Sequence, residues 1–173
     1  MSFIKLAEER YSLRSFCSKP VEKEKLDLVL KAAQLSPTAC NSQPQRILVI
    51  ENEEALEKLK KCTQYHFNAP VAFLVCYVKT VSWKRKFDGD DSGVVDASIV
   101  TTHMMLQAAE IGLGTTWVGY FDPAVITKEF DIPENFVPVA LLPMGYPSEE
   151  AKPNTAHYQR KSIDETVFYN KFS

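Results

Sequence analysis

A three-layer α/β arrangement around one sheet is the fold class this sequence predicts. Apolar runs rich in β-formers occur at VAFLVCYV (71–78) and VPVALLPMGY (from Val137). The first is apolar at every position, as a central strand covered on both faces must be. Segments with apolar residues at helical spacing lie around these runs. The elements do not alternate as regular βαβ units. No GxGxxG follows a strand, which excludes a dinucleotide-binding Rossmann domain and a P-loop. At 173 residues the chain builds one packed core, a single domain over 1–173.

Along the chain, Phe3, Leu6, Ala7 and Arg10 repeat at helical spacing behind a Ser2 cap, predicting a helix over 3–11. Pro20 opens a second helix through Leu35, with Leu26, Val29, Leu30 and Ala33 on one face, and Pro37 stops it. RILVIE, from Arg46, reads as a short buried strand. Glu53 to Cys62 is a charged amphipathic helix, and Val71 to Val78 the central strand. Residues 79–93, with Trp83, Lys84, Arg85, Lys86 and the acidic DGDD, form an exposed loop. The longest helix runs from Val94 to Ile111 with an unusually apolar centre, and Gly112 ends it. TTWVGYF (115–121) reads as a strand, DPAVITKEF as a short helix and the run from Val137 as a further strand. Beyond Gly145 the chain is polar and irregular until the apolar stretch Thr166–Phe172.

Composition narrows the function classes. With 45% hydrophobic and 24% charged residues the chain is an ordinary globular protein. A net charge of −2 opposes a nucleic-acid or anionic-membrane partner, which needs a clustered cationic face. No apolar run approaches the roughly 18 to 20 residues needed to span a bilayer. The N-terminus, MSFIKLAEER, carries no signal-peptide pattern, so a cytoplasmic location is expected. Cys17, Cys40, Cys62 and Cys76 are scattered and read as free thiols, and the separated His66, His103 and His157 offer no metal site.

Four stretches carry chemical information. In ERYSLRSF (9–16), Arg10, Ser12 and Arg14 fall at alternate positions. Two guanidiniums and a hydroxyl suit a phosphate, although the triplet alone reads more readily as a solvated helix end. In SPTACNSQPQRILVI (36–50), the residues Ser36, Pro37, Thr38, Asn41 and Gln43 fit either a helix stop with a turn or a rigid rim presenting polar groups to a heterocycle. In LQAAEIGLGTTWVGYFDP (106–123), Gly112, Gly114 and Gly119 bring bare backbone close to a neighbouring helix or to a flat ligand. In HYQRKSIDETVFYN (157–170), composition alone makes Arg160 and Lys161 a solvated pair.

Taken together and in this order, RYSLR, SPTACNSQPQ, the apolar helix ending in GLGTTWVG, and RKSIDETV resemble the nitroreductase family of FMN-dependent oxidoreductases in a compact form. The resemblance covers essentially the whole chain. It implies an α+β fold with a mostly antiparallel central sheet flanked by helices. It also implies an obligate homodimer with exchanged C-terminal arms and two FMN molecules at the subunit interface. By the same resemblance Arg10 pairs with the FMN phosphate, Ser12 adds a hydroxyl, and Tyr11 between them contributes backbone. Arg14 is directed to the ribityl–pyrimidine side, and Arg160, supported by Lys161, returns to the phosphate. Pro37, Thr38, Ala39 and Asn41, with Gln43 close by, reach FMN from the partner subunit. The backbone amides of Val118 and Gly119 face N5 and O4 of the ring. No catalytic side chain is assigned, because the redox chemistry belongs to the cofactor.

This chain departs from larger members of the family at two points. TQYHFNAP (63–70) lacks the lysine that those members place near N1 and O2 of the flavin. Tyr158 stands where they have a second basic residue, two positions before the late arginine. The implied activity is reduction of nitroaromatics, quinones or related flat acceptors with NADH or NADPH as donor. The alternatives are a specialised relative acting on halogenated or flavin-like substrates, and a flavin-binding or storage protein with little turnover.

Overall fold

A computed structural model describes residues 2–172. The chain begins with α1 (Phe3–Glu9), where the Ser2 hydroxyl accepts the Lys5 N–H at 3.3 Å, the expected cap. The second helix, α2 (Lys23–Gln34), starts later than Pro20. Glu22 stays extended ahead of it, its carboxylate held by the Tyr146 hydroxyl at 2.5 Å and by Lys19 at 3.0 Å. Pro20 therefore lies in the approach to the helix and does not form its first turn.

Next come β1 (Gln45–Ile50), α3 (Glu53–Cys62), β2 (Val71–Val78) and α4 (Gly93–Glu110). They are followed by β3 (Gly114–Thr115), α5 (Pro123–Glu129), β4 (Phe136–Gly145) and α6 (Ile163–Thr166). The sheet order is β1-β2-β4-β3, and every strand pair in it is antiparallel. Val71, Phe73 and Val75 on one face of β2 pack with Val29 and Ala33 of α2 and Ala97, Val100 and Met104 of α4. Ala72, Leu74 and Cys76 on the other face pack with Leu59 of α3 and Ile126 of α5. The layers are thus helix, sheet, helix, and covering on both faces explains why β2 is apolar throughout.

Two strand expectations are corrected. RILVIE is not a buried strand: β1 pairs with β2 alone among the described strands, alternates in burial and leaves Leu48 41% exposed. The 115–121 segment is strand only at Gly114–Thr115. Thr115 pairs with Met144, so the ladder would next bring Thr116 opposite Pro143, which has no N–H to donate. Thr116 N–H still donates to Pro143 O at 3.3 Å, but the return bond is missing, and the Thr116 hydroxyl donates to the Leu13 carbonyl. Pairing resumes only as a single bridge between Val118 and Leu141.

The chain after α1 takes the place beside β3. Leu13 N–H donates to Thr115 O at 2.9 Å, and Ser12 bridges Thr115 in the parallel sense. Leu13 is buried, and a Cβ on Gly114 would lie 2.2 Å from its side chain, so only glycine permits this approach. Among the described residues no helix is long and apolar enough to cross a membrane.

Candidate functional site

The alternate spacing of Arg10, Ser12 and Arg14 has its meaning in this docking. Arg10 ends α1 and is already extended (φ −64°, ψ 139°). In extended backbone, alternate side chains share one side. Leu13 is turned into the core, and the residues flanking it line an open cleft of about 220 Å³. Arg10, Tyr11, Ser12 and Arg14 form one wall, and Asn154, Ala156, His157 and Arg160 the other. The two ends of the sequence therefore meet here.

The late segment is held by three contacts. His157 donates through Nε2 to the Glu8 carbonyl at the end of α1, at 3.1 Å. Its ring also meets Tyr11 edge-on, with centroids 6.4 Å apart. The Asn154 side chain accepts the Ala156 N–H at 2.9 Å, capping the short turn Thr155–Tyr158. Neither His157 nor Asn154 belongs to a binding motif recognisable in the sequence. Their proximity to Arg160 was the available signal, but only the fold brings them to α1.

Charge in the cleft is uncompensated. Arg14 donates to Ser12 O at 3.3 Å, and Arg160 to Ala156 O at 3.2 Å and Gln159 O at 2.8 Å. Among the described residues none of Arg10, Arg14 or Arg160 takes part in an ion pair. Three guanidiniums with no carboxylate partner, beside a serine hydroxyl, are the donor set of an anion site, and a phosphate monoester fits it. Lys161 is exposed and does not line this cleft.

The Pro37–Gln43 loop lies elsewhere. Ala39 N–H donates to Asp96 in the first turn of α4 at 2.8 Å. The cleft is near the other end of that helix, where Arg10 shares a hollow with Met105 and Ala109. From Asp96 to Ala109 the helical rise amounts to about 20 Å. Within one chain, Pro37, Thr38, Ala39, Asn41 and Gln43 are therefore not gathered with Arg10 and Arg160.

The Val118–Gly119 segment continues the edge that begins beside Ser12. Val118 N–H donates to Leu141 O at 2.8 Å and Val118 O accepts from Leu141 N–H at 2.9 Å. Both polar backbone groups of Val118 are thus spent within the sheet, and the expectation that its amide faces a ring is corrected for that residue. Gly119 is exposed, and a Cβ there would lie 3.0 Å from the Trp117 ring.

Near this edge Tyr65 meets Tyr120 edge-on at 5.4 Å, and the Thr63 hydroxyl donates to Tyr120 O at 2.6 Å. His66 accepts the Asn68 N–H on Nδ1 at 3.0 Å, and burial lowers its pKa from the ordinary value. The segment 63–70 therefore supplies a neutral imidazole and no cation. Burial pushes the Cys62 and Cys76 thiols up to about 11, which makes both poor nucleophiles.

The family model described as the Nitroreductase family matches residues 7–64 and 62–146. A crystal structure of a nitroreductase family protein from Clostridium difficile 630 superposes with a TM-score of 0.94 at 45% identity, covering 99% of both chains. An FMN-dependent nitroreductase from Clostridium difficile R20291 superposes with a TM-score of 0.81 at 29% identity, covering 98% of this chain and 100% of that one. A protein of Methanothermobacter thermautotrophicus, provisionally named an NADH dehydrogenase/NAD(P)H nitroreductase, is 33% identical over 156 residues. That match covers 86% of this chain and 79% of the relative. Matches that span both walls of the sheet, in sequence and in fold, lead to one conclusion: the chain belongs to the nitroreductase family of oxidoreductases.

Proposed function

We propose that this protein is a cytoplasmic homodimeric FMN oxidoreductase that takes electrons from NADH or NADPH and passes them to quinones, nitroaromatics or related flat acceptors. The observation that carries the reading is the cleft between residues 10–14 and 154–160, with three arginines, a serine hydroxyl and, among the described residues, no carboxylate paired with those arginines. Arg10, Ser12 and Arg160 would hold the phosphate, with Lys161 adding charge from the adjoining turn. Tyr11 contributes a wall. Arg14 lies on the same strand-like segment, farther from α1, and would favour negative charge on the ring system. When bound, FMN supplies two-electron redox chemistry, and the chain supplies position and charge. Thr115 and Val118 pair with Met144 and Leu141 of β4, about 10 Å apart along that strand. A flat ligand held at the cleft would lie along this edge, with the Gly119 backbone as its close neighbour.

What one chain leaves uncovered supports the dimer. Pro37, Thr38, Ala39, Asn41 and Gln43 lie a helix length from the cleft, and a second copy brings them to it. Phe168, Tyr169 and Phe172 near the C-terminus are 51%, 81% and 91% exposed. Val94 and Val95 on α4 are 51% and 60% exposed. Such apolar surface marks an interface, and an arm laid over a second copy would cover it.

The test has two stages. Flavin-free protein should bind FMN more tightly than riboflavin and sediment as a dimer, and deletion of residues 164–173 should weaken the dimer and release flavin together. NADH or NADPH should then bleach the flavin anaerobically, and a quinone should restore its colour. Flavin bound without bleaching would leave storage as the function.

A further inference from the structure

One buried charge plays no part in the reading above. Asp96 is 2% exposed, and among the described residues no cation pairs with it. Its Oδ1 accepts the Ala39 N–H and its Oδ2 the Ser92 hydroxyl, each at 2.8 Å. A buried carboxylate is costly unless fully hydrogen-bonded, and the start of an 18-residue helix favours its negative charge. These contacts make the charge tolerable, and its strongest local consequence is for the loop it touches.

That loop has uncommon backbone. Cys40, Asn41 and Gln43 have φ of 50°, 52° and 47°, the left-handed region that residues with a Cβ rarely adopt. Asn41 N–H donates to Thr38 O, Ser42 N–H to Ala39 O, and Gln43 N–H to the Thr38 hydroxyl. Those bonds shape the loop without attaching it. Arg46 at the start of β1 donates to Gln43 O at 3.3 Å; among the described residues, the bond from Ala39 to Asp96 is the single hydrogen bond joining 37–43 to a part of the chain distant in sequence. Strained backbone of this kind persists only where the surroundings over-determine it.

We propose that Asp96 is a positioning residue that clasps the Pro37–Gln43 loop in the conformation that completes the FMN site of the second copy. The inference rests on the dimeric FMN reading given above. Asp96 touches no ligand itself; it acts through the Ala39 N–H. The side chain required is an acceptor at Oδ1, not a charge as such, because an amide oxygen accepts the same bond. Mutation of the clasp should therefore harm the site to which the loop is lent, while leaving the chain's own Arg10 cleft intact.

Flavin-free proteins would be titrated with FMN by fluorescence, as homodimers and as mixed dimers carrying two affinity tags. Loss of the hydrogen bond to the Ala39 N–H predicts that Asp96→Ala weakens FMN by about tenfold, while Asp96→Asn, which keeps the acceptor, stays within about threefold of wild type. Ala39→Pro removes the donor from the other side. Thr38 is extended (φ −135°, ψ 158°) and Ala39 opens a turn, so proline is sterically suited there. It should weaken FMN as Asp96→Ala does, and it serves where the alanine variant does not fold. The decisive sample is a mixed dimer of an Ala39→Pro chain with an Arg10→Ala chain. One of its two sites combines an intact cleft with an intact loop, so one tight FMN per dimer is expected. Wild-type affinity in the Ala39→Pro homodimer, a loss in Asp96→Asn as large as in Asp96→Ala, or no tight site in the mixed dimer would overturn the proposal. An Arg10→Ala homodimer that binds FMN like wild type would instead overturn the phosphate reading on which it rests.

Discussion

Arg160→Ala separates the binding of FMN from the stability of the fold. Arg160 is exposed, and its hydrogen bonds go to Ala156 O and Gln159 O within its own turn. No ion pair is lost with it among the described residues. A surface substitution of this kind changes stability by about 0.5 kcal/mol or less. The corresponding shift in Tm is about 2 °C or less for a chain of this size. A charge-assisted hydrogen bond to phosphate, by contrast, is worth about 1.5 to 3 kcal/mol, roughly ten- to a hundredfold in affinity. Because the cleft is open, added salt should screen part of that difference. The assay is fluorescence titration of flavin-free wild type and variant with FMN and with riboflavin, at low salt and at high salt. FMN affinity should fall by the stated factor at low salt, with a smaller gap at high salt. Riboflavin, which lacks the phosphate, should bind both proteins equally. An unchanged FMN affinity would refute the assignment of Arg160 to the phosphate. An equal loss for riboflavin would show that the arginine acts through the fold.

Further expectations follow from particular contacts. The Tyr146 hydroxyl, with Lys19, holds the Glu22 carboxyl at about 2, below its ordinary 4.5. A lowered carboxyl pKa stabilises the fold above the unfolded value, and that contribution is lost as pH falls from about 4.5 to about 2. Glu22→Gln should therefore flatten the acid-side decline of Tm in that window, and parallel Tm–pH curves would contradict the pairing. Gly119→Val adds a branched side chain where a Cβ already lies 3.0 Å from the Trp117 ring. It should displace that ring, visible as a change in tryptophan fluorescence, and lower flavin occupancy; full occupancy would remove Gly119 from the site. Cys40 is exposed whereas Cys62 and Cys76 are buried with raised pKa. A thiol reagent should label Cys40 at once and leave the two buried thiols unreacted in the folded protein, as peptide mapping would show. Bound FMN should slow labelling of Cys40 if the loop lies at the ligand.

Local pattern alone was enough for the elements whose burial repeats with the period of their backbone. The continuous apolar run of Val71–Val78 reports a strand covered on both faces, and the amphipathic pattern of Glu53–Cys62 reports a helix on the sheet. The family resemblance likewise needs only order and spacing, and it indicates Arg10, Ser12, Arg14 and Arg160. Tertiary structure decided what depends on the residue lying opposite. The 115–121 segment stops being strand where Thr116 meets Pro143, because that proline has no donor. Val118 spends its amide on Leu141 for the same kind of reason, and no feature of its own neighbourhood reveals that partner. Arg10 and Arg160 reach one cleft because His157 bonds the Glu8 carbonyl, a pairing between opposite ends of the chain. Asp96 reads in sequence as an ordinary acidic residue in the first turn of a helix, and its hold on Ala39 exists only after the loop has folded over it. Periodicity records how much water each face of an element loses, whereas the destination of an individual N–H is set by which backbone arrives across from it.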